Sequence, residues 1–383
     1  MVSSSRFQNL LLGTLRNRKG WETKMGKRTI IPFGPQHPVL PEPIHLDLVL
    51  EDEVVVEAIP SIGYVHRGLE KLVEKREYTE MVYVIERICG ICSFGHGWGS
   101  AAAIEGAMGI KVPERAEYLR TIWHELSRIH SHLLWLGLLA DAFGFESLFM
   151  HCWRVREHVL DLFEKTTGGR VIFSVCKVGG VRKDIDNETL KEMVATLNGM
   201  KAEIKKLTDV FVEDASVKNR TVGVGVLTKE DAIELGAVGP VARGSGLYQD
   251  IRLAGAGVYD KLNFEPIVEE AGDCYARTLV RIGELFQAID LIEQAVAQIP
   301  DGPIDVPVKG NVEGEFMMRL EQPRGEAYYY AKGAGSKFLE RMRVRTPTNQ
   351  NIPALVKMLQ GCDLADVPML VLTIDPCISC TER

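Results

Sequence analysis

Apolar residues in the middle of the chain follow the helical repeat. Between Pro113 and Ala142, large apolar side chains recur every three or four positions, as on the buried face of a helix. A proline followed by a glutamate is also a common helix start. Similar patterns predict further helices over 147–166, 187–211 and 266–299. The central part of the chain is therefore predicted to form a bundle of long helices joined by short connections.

The N-terminal part has a strand-like pattern. Alternating stretches at His45–Leu50 and Val54–Ile59 are separated by the polar turn Glu51-Asp52-Glu53 and preceded by proline-rich turns. These features predict an antiparallel hairpin, followed by a helix over Leu69–Cys89. The predicted fold class is α+β, mainly α, with an antiparallel β-rich N-terminal part and a central bundle of long helices.

Composition is typical of a folded protein with a sizeable core. The 383 residues are 46% hydrophobic and 25% charged, and no low-complexity segment or linker interrupts them. We therefore expect a single domain over 29–383, β-rich over 29–68 and mainly helical over 69–383. Residues 1–28 carry seven Lys and Arg against one Glu. We interpret them as a basic arm that binds an acidic partner or a lipid surface, with a transit peptide as the alternative.

Charge and hydropathy exclude two classes of function. The net charge is −7, and no basic stripe is evident, which argues against nucleic acid as the main partner. No apolar run reaches the roughly 18–20 residues of a membrane span. Any association with a membrane is therefore expected to occur through partner subunits.

Four of the eight cysteines form two C-x-x-C pairs, one early and one late. Cys89 and Cys92 are separated from Cys377 and Cys380 by nearly three hundred residues. One such pair also occurs in redox dithiols and in half of a zinc site, so it is weak evidence alone. A compact zinc ribbon has its second pair about 15–20 residues on, unlike here. We predict that the fold brings the two pairs together at one buried metal site.

The thiol ligands restrict the metal without identifying it. Four thiolates carry four negative charges, which two metal ions sharing bridging sulfurs balance better than one ion does. Soft sulfur ligands select zinc, copper(I), nickel or iron. The residues alone therefore predict a buried polythiolate site, and the charge balance indicates that it holds two metal ions.

Longer motifs around these cysteines resemble a known family. Arg87-Ile88-Cys89-Gly90-Ile91-Cys92 and Asp375-Pro376-Cys377-Ile378-Ser379-Cys380-Thr381-Glu382-Arg383 resemble the large, catalytic subunit of NiFe hydrogenases. Gly34-Pro35-Gln36-His37-Pro38, His66-Arg67-Gly68 and the ending in arginine resemble its membrane-bound, energy-converting branch. The same stretches are similar to the large quinone-site subunit of complex I, which lacks the four thiols.

The resemblance implies a ligand set. Cys89 and Cys377 would be terminal ligands of nickel. Cys92 and Cys380 would bridge nickel to an iron that carries cyanide and carbon monoxide. A zinc or iron–sulfur site is the alternative.

The resemblance also implies roles around the metals. Glu42 would accept a proton beside the terminal nickel thiolate, as a positioned carboxylate can. Arg324 would lie over the metals, where its charge offsets the thiolates. Asp375 would hold Arg324, and Thr373 would donate to a cyanide.

Two further positions match the family. His96 follows Cys92 by one helical turn and would hydrogen-bond the bridging thiolate. Glu70 matches a magnesium ligand of many hydrogenases. Those enzymes end in a histidine that shares the ion, whereas Arg383 cannot ligate a cation and could replace it by its own charge.

The activity implied is the reversible reduction of protons to dihydrogen with ferredoxin-type electrons. Partners would be a small subunit with a 4Fe–4S cluster and complex I-like hydrophilic and membrane subunits that move ions. The chain would lie on the cytoplasmic side of the membrane as a peripheral subunit. The alternative is a complex I-like reductase acting on a sulfur compound or a quinone.

Other polar and sulfur residues are interpreted as structural. A group of histidines and an arginine on the long helices is expected to have mixed packing and surface roles (His124, Arg128, His130, His132 and His151). The isolated cysteines are expected to be small buried hydrophobes (Cys152, Cys176, Cys274 and Cys362).

Overall fold

The computed structural model describes residues 28–383. It begins with an antiparallel sheet of three strands, β1 (Arg28–Phe33), β2 (His45–Glu51) and β3 (Val54–Ser61), in that order. The predicted hairpin is confirmed as β2–β3, but β1 was not predicted. The predicted basic arm lies outside the described residues except for Arg28, the first residue of β1.

The N-terminal sheet is joined to the C-terminal part of the chain. The backbone of Val55 in β3 bonds with Cys362 (N to O, 2.9 Å) and with Gly361 (O to N, 2.7 Å). Buried backbone groups need such partners. These bonds hold the two ends of the fold together, which is the condition for the two C-x-x-C pairs to meet.

The predicted helix over Leu69–Cys89 is two helices, α1 (Leu69–Val73) and α2 (Tyr78–Glu86). Glu77, at the break, is extended and forms a β-bridge with Phe338. Tertiary pairing therefore overrides the helical pattern. The loop after α2 carries Cys89 and leads into α3 (Ser93–Met108).

A bundle of four long helices forms the core, as predicted. Its members are α4 (Glu114–Ala142), α5 (Glu146–Thr167), α6 (Asn187–Glu213) and α10 (Cys274–Gln298). The central helix, α4, packs on α5 and α10 and is buried nearly all round. Shorter elements connect them: β4 (Cys176–Lys177), β5 (Gly180–Val181), α7 (Ala215–Thr221), α8 (Lys229–Glu234) and α9 (Pro240–Arg243).

The start of α10 was predicted too early. Residues 266–273 are not helical, and Asp273 is the N-cap, where its carboxylate accepts a hydrogen bond from the amide of Ala276 (2.7 Å). Gly272, with φ of +67°, sets the turn before the cap.

A second antiparallel sheet follows the bundle and was not predicted. It consists of β6 (Val312–Gln322), β7 (Gly325–Ser336) and β8 (Leu339–Arg345), and it packs on α3. The chain then ends in α11 (Pro347–Leu359), α12 (Val367–Thr373) and α13 (Ile378–Glu382). Residues 69–383 are thus mainly helical, as expected, but include this sheet. No helix among residues 28–383 combines the length and hydropathy needed to cross a membrane.

Candidate metal centre

The four motif cysteines meet in one buried cluster, as predicted. Their sulfur atoms all lie within 4.8 Å of one another. Cys89 and Cys377 are 3.2 Å apart, and Cys92 and Cys380 are 3.3 Å apart, measured between sulfurs. It is the one group of three or more potential metal ligands among the described residues.

The thiols cannot all lose their protons without a cation. Burial raises the pKa of Cys380 well above its usual value. Hydrogen bonds from Cys377, Cys380 and Cys89 lower the pKa of Cys92 well below it. One negative charge is therefore stabilised by the remaining thiols, and a bound metal would stabilise further ionisation. This donor set fits a soft metal or a binuclear centre.

Arg67 joins the two cysteine segments. Its Nη2 donates to the carbonyls of Ile88 (2.7 Å) and Ser379 (3.2 Å), and its Nη1 donates to that of Arg87 (3.1 Å). One guanidinium therefore fixes the loop before Cys89 against α13. The sequence marked Arg67 only as part of a motif, because its contacts are remote along the chain.

The C-terminal helix is also held by the loop after β3. The carboxylate of Glu382 accepts hydrogen bonds from the amides of Gly63 and Val65, both at 2.5 Å. Thr346 donates from Oγ1 to the carbonyl of Cys380 (3.1 Å). These bonds determine where the second cysteine pair lies.

His96 contacts one sulfur from each C-x-x-C pair. Its Nε2 lies 3.4 Å from Cys92 Sγ and 3.3 Å from Cys380 Sγ. Its Nδ1 lies 2.9 Å from the hydroxyl of Tyr329, which accepts from Gln322 Nε2 (3.0 Å). With Tyr329 donating to Nδ1, the proton of His96 is on Nε2 and points at the sulfurs.

Glycines in α3 make room for this contact. A Cβ at Gly95 would lie 2.2 Å from the amide of Gln322, and one at Gly99 would lie 2.2 Å from the ring of Tyr329. Glycine inside a helix costs about 1 kcal/mol relative to alanine. Here it allows the β6–β7 hairpin to reach His96. The sequence indicated His96 but not Tyr329 or Gln322.

Arg324 is buried beside the cluster and held by Asp375. Its Nη2 lies 2.8 Å from Asp375 Oδ1, its Nε donates to the carbonyl of Asp375 (2.9 Å), and its Nη1 donates to Ser131 Oγ (3.2 Å). Burial opposes its charge, but Asp375 and the thiols of Cys377, Cys92 and Cys89 raise the pKa of Arg324 above its usual value. The guanidinium is therefore a fixed positive charge beside the sulfurs.

Asp375 adopts an unusual backbone conformation to do this. Its φ is +53°, in the left-handed region that aspartate tolerates better than most residues.

Thr373, at the end of α12, accepts from Arg277 Nε at Oγ1 (2.8 Å) and from Arg281 Nη2 at its carbonyl (2.9 Å). Its hydroxyl proton is still available to a ligand, so the predicted donor role remains a prediction.

Glu42 contacts Ser379, which lies in α13 between the two C-terminal cysteines. Its Oε2 accepts from the amide of Ser379 (3.0 Å), and its Oε1 accepts from the hydroxyl of Ser379. The half-buried carboxylate also lines a cavity of about 340 Å³ with the Pro35–Pro43 turn. It therefore lies between the cysteine segment and solvent.

The residues around Glu70 do not fit a magnesium site. Its Oε1 accepts from Arg383 Nε (2.9 Å) and the amide of Val344 (3.0 Å), and its Oε2 accepts from Arg341 Nη2 (3.2 Å). Two guanidinium groups therefore take the place of a cation.

The histidines and cysteines that the sequence analysis interpreted as structural are largely packing residues. His124, His130 and His132 are fully buried, and so is Arg128, so the expected surface role applies only to half-buried His151. Cys152, Cys176 and Cys274 are buried as expected, whereas Cys362 is half-buried.

A buried ionic network lies between the bundle and β6. Arg243 bonds Glu284 (2.7 Å) and Glu321 (2.7 Å) and lies 3.1 Å from Asp250. Burial, and then the charge of Asp250, raise the pKa of Glu321 to about 7. Glu321 precedes Gln322, whose side chain bonds Tyr329, the partner of His96.

Comparison with protein families matches most of the chain to two related descriptions. Residues 67–141 match the nickel-dependent hydrogenase family. Residues 142–312 and 309–383 match the 49-kDa subunit of respiratory-chain NADH dehydrogenase.

Individual relatives cover nearly the whole chain. The membrane-bound hydrogenase subunit alpha of Pyrococcus furiosus is 40% identical over 92% of this chain and 87% of its own. The carbon monoxide-induced hydrogenase of Rhodospirillum rubrum is 39% identical over 92% and 99%. A chain in the solved structure of an archaeal membrane-bound sulfane sulfur reductase is 31% identical, covers 93% of this chain and 98% of its own, and has a TM-score of 0.89.

Proposed function

Since the chain belongs to the family that unites nickel-dependent hydrogenase large subunits with the 49-kDa subunit of complex I, we propose that it is a NiFe hydrogenase catalytic subunit. The reaction is the reversible reduction of two protons by two electrons to dihydrogen. The observation that carries the proposal is the cluster of four buried thiols within 4.8 Å. Four thiols that converge within this distance form a ligand set for soft metals.

The fit of the residues to a nickel–iron centre supports the assignment of roles. Cys89 and Cys377 would hold nickel, and Cys92 and Cys380 would bridge it to iron with its cyanide and carbon monoxide ligands. Once bound, such a centre supplies heterolytic chemistry on dihydrogen and exchange of single electrons. The buried charge of Arg324 offsets the negative charge of the thiolates.

Protons require a group of this chain that can take them from the centre. Glu42 bonds Ser379, between the two C-terminal cysteines, and lines a cavity that opens on the surface. A carboxylate in that position can accept a proton from the thiolate side and release it to solvent or to a partner. The contact of His96 with two sulfurs would orient and stabilise the bridging pair.

Partners complete the proposed reaction. Relatives are subunits of membrane-bound complexes. We propose a small subunit with a 4Fe–4S cluster, a ferredoxin-type donor and ion-moving membrane subunits, with this chain peripheral on the cytoplasmic side.

A second candidate is a complex I-like reductase of a sulfur compound or a quinone. The similarity to the sulfane sulfur reductase chain and to the 49-kDa subunit favours it. The buried thiols would then bind a different metal or none.

Infrared spectroscopy of the purified complex, with metal analysis, separates the two. A nickel–iron centre predicts nickel, iron, and stretching bands of cyanide and carbon monoxide, with turnover of dihydrogen. Complex that lacks nickel and these bands, but reduces sulfur compounds or a quinone, would reject the hydrogenase proposal.

A further inference from the structure

The solvent face of the second sheet is rich in arginine and tyrosine. Antiparallel pairing places Tyr328 opposite Arg345 and Tyr330 opposite Arg343, and alternate residues of a strand share a face. With Arg341 and Arg383 these side chains line a cavity of about 470 Å³. We call this surface the arginine groove (Tyr328, Tyr330, Arg341, Arg343, Arg345 and Arg383).

Two guanidinium groups of the groove have no acidic partner. Arg341 and Arg383 both bond Glu70, and Arg341 also lies 3.1 Å from Glu74. Within residues 28–383, Arg343 and Arg345 are exposed and no carboxylate lies within ion-pair distance of either. Arg345 stacks at 5.7 Å over the ring of Tyr328. The groove therefore carries fixed positive charge in a chain whose net charge is −7.

The arginine groove and the cavity next to it are together larger than a single small anion requires. A second cavity of about 390 Å³ shares Arg341 and Arg383 with the first and extends to Ile62, which is 46% exposed. Tyrosine and arginine are the residues most enriched where protein partners bind tightly. An extended peptide with carboxylate side chains would pair with Arg343 and Arg345 and cover the exposed Ile62.

We propose that the arginine groove binds an extended acidic segment of a partner subunit. The second cavity is lined by Thr381, Glu382 and Arg383 of the C-terminal segment. A bound segment would therefore also cover the helix that carries Cys380. The proposal does not depend on which metal the cysteines hold.

Carbodiimide crosslinking of the intact complex tests the proposal. Carbodiimide activates a carboxylate, and a lysine amine then attacks it to form an amide, with release of the urea. Arginine does not react, so Arg343→Lys introduces an amine at the groove. We expect peptide mass spectrometry to find it joined to an Asp or Glu in an acidic stretch of another subunit.

The exposed native amine of Lys206 on α6 reports the general reactivity of the same preparation. If Lys206 reacts but the introduced amine does not, or if it joins only carboxylates of this chain or of a second copy, the proposal is wrong.

Charge reversal gives an independent measurement. The pair Arg343→Glu and Arg345→Glu should lose the crosslinked subunit at a salt concentration that leaves the unaltered complex intact, with retention reduced roughly tenfold. The pair Lys191→Glu and Lys206→Glu makes the same change of charge on α6 and should retain the subunit. Equal retention by both pairs would overturn the proposal, whatever the infrared spectrum shows.

Discussion

At the scale of single residues, Glu42 separates proton transfer from metal binding. It contacts Ser379 and not a sulfur. Glu42→Gln preserves size and hydrogen bonding but cannot take up a proton as a carboxylate does. We expect hydrogen turnover to fall by a factor on the order of 10²–10⁴, the usual contribution of a positioned acid–base group, with the infrared bands retained.

Cys377→Ser is the contrasting variant, because it should abolish both turnover and nickel content. Near-normal turnover of Glu42→Gln would mean that the proton leaves by another carboxylate, Glu70 or Glu326 being the next to test. Loss of nickel from Glu42→Gln would mean that Glu42 is structural.

Tyr329 is a positioning residue, because its hydroxyl bonds Nδ1 of His96. Without its hydroxyl, Nδ1 of His96 has no donor, and the ring can carry its proton on the side away from the sulfurs. Tyr329→Phe should therefore shift the infrared bands of the diatomic ligands and lower activity by roughly 10–100-fold, as loss of a contact behind a metal ligand does. Tyr248→Phe, at an exposed site, is the control and should change neither. An unshifted spectrum in Tyr329→Phe would contradict the role.

At the scale of elements, the glycines of α3 lower the intrinsic stability of the helix but allow the β6–β7 hairpin to approach it closely. Alanine at position 99 would place a Cβ 2.2 Å from the ring of Tyr329. Gly99→Ala should therefore lower the free energy of unfolding by about 1–3 kcal/mol, the usual cost of overpacking, although alanine is the better helix former. Denaturant unfolding and the infrared spectrum measure the change.

Gly199 in α6 is the matched control. No atom lies within 4 Å of a Cβ built there, so Gly199→Ala should stabilise the protein by about 1 kcal/mol. If both variants stabilise equally, the close packing of α3 on the hairpin is not a constraint.

The elements that the sequence predicted well have local signals. The apolar repeat of α4 and the proline at its N-cap are signals within or next to that helix, and its boundaries at 114 and 142 were predicted closely. The second sheet was missed because β7 carries three consecutive tyrosines, Tyr328–Tyr330, which obscure the alternation. Its inward face packs on glycines of α3, more than two hundred residues earlier.

The same distinction applies at the site. The cysteine pairs and His96 are recognisable from short spacings. The contacts of Tyr329, Arg67 and Ser379 are tertiary, and although Arg67 and Ser379 lie within the motifs, the motifs do not indicate what they bond. The sequence could therefore identify the ligands but not the groups that position them.

At the scale of the whole molecule, the buried network around Glu321 links stability to pH. Its pKa is raised to about 7, whereas an unfolded glutamate titrates near 4.3. Between these values the folded protein holds a proton that the unfolded chain has lost. This group therefore stabilises the fold below about pH 4.3, and that contribution is lost as the pH rises towards 7.

Glu321→Gln removes this titration while keeping an acceptor for Arg243. Between pH 5 and pH 7, the unfolding free energy of Glu321→Gln should fall by about 2 kcal/mol less than that of the unaltered protein. Thermal or denaturant unfolding across this range measures it. Parallel curves for the two proteins would show that Glu321 is ionised in the folded state.

Metal binding should connect the two ends of the chain. The cluster joins a loop near residue 90 to the helix α13, which is short and depends on contacts with Arg67, Gly63 and Val65. A metal bound by all four sulfurs adds its binding free energy to the stability of that arrangement. Metal-free Cys377→Ser should therefore exchange its amide hydrogens faster in α13 and in residues 62–68, by roughly tenfold or more, than the metal-loaded protein.

The middle of α6 is the internal reference, because this helix packs on α5 and α10 and not on the cysteine segments, and its exchange should not change. Arg67→Met in the metal-loaded protein separates the two contributions, since it removes the guanidinium but keeps the ligands. If α13 stays protected without metal but not without Arg67, protein contacts alone hold the C-terminal pair in place and the metal enters a preformed site. If protection requires the metal, the site is completed only when the metal binds.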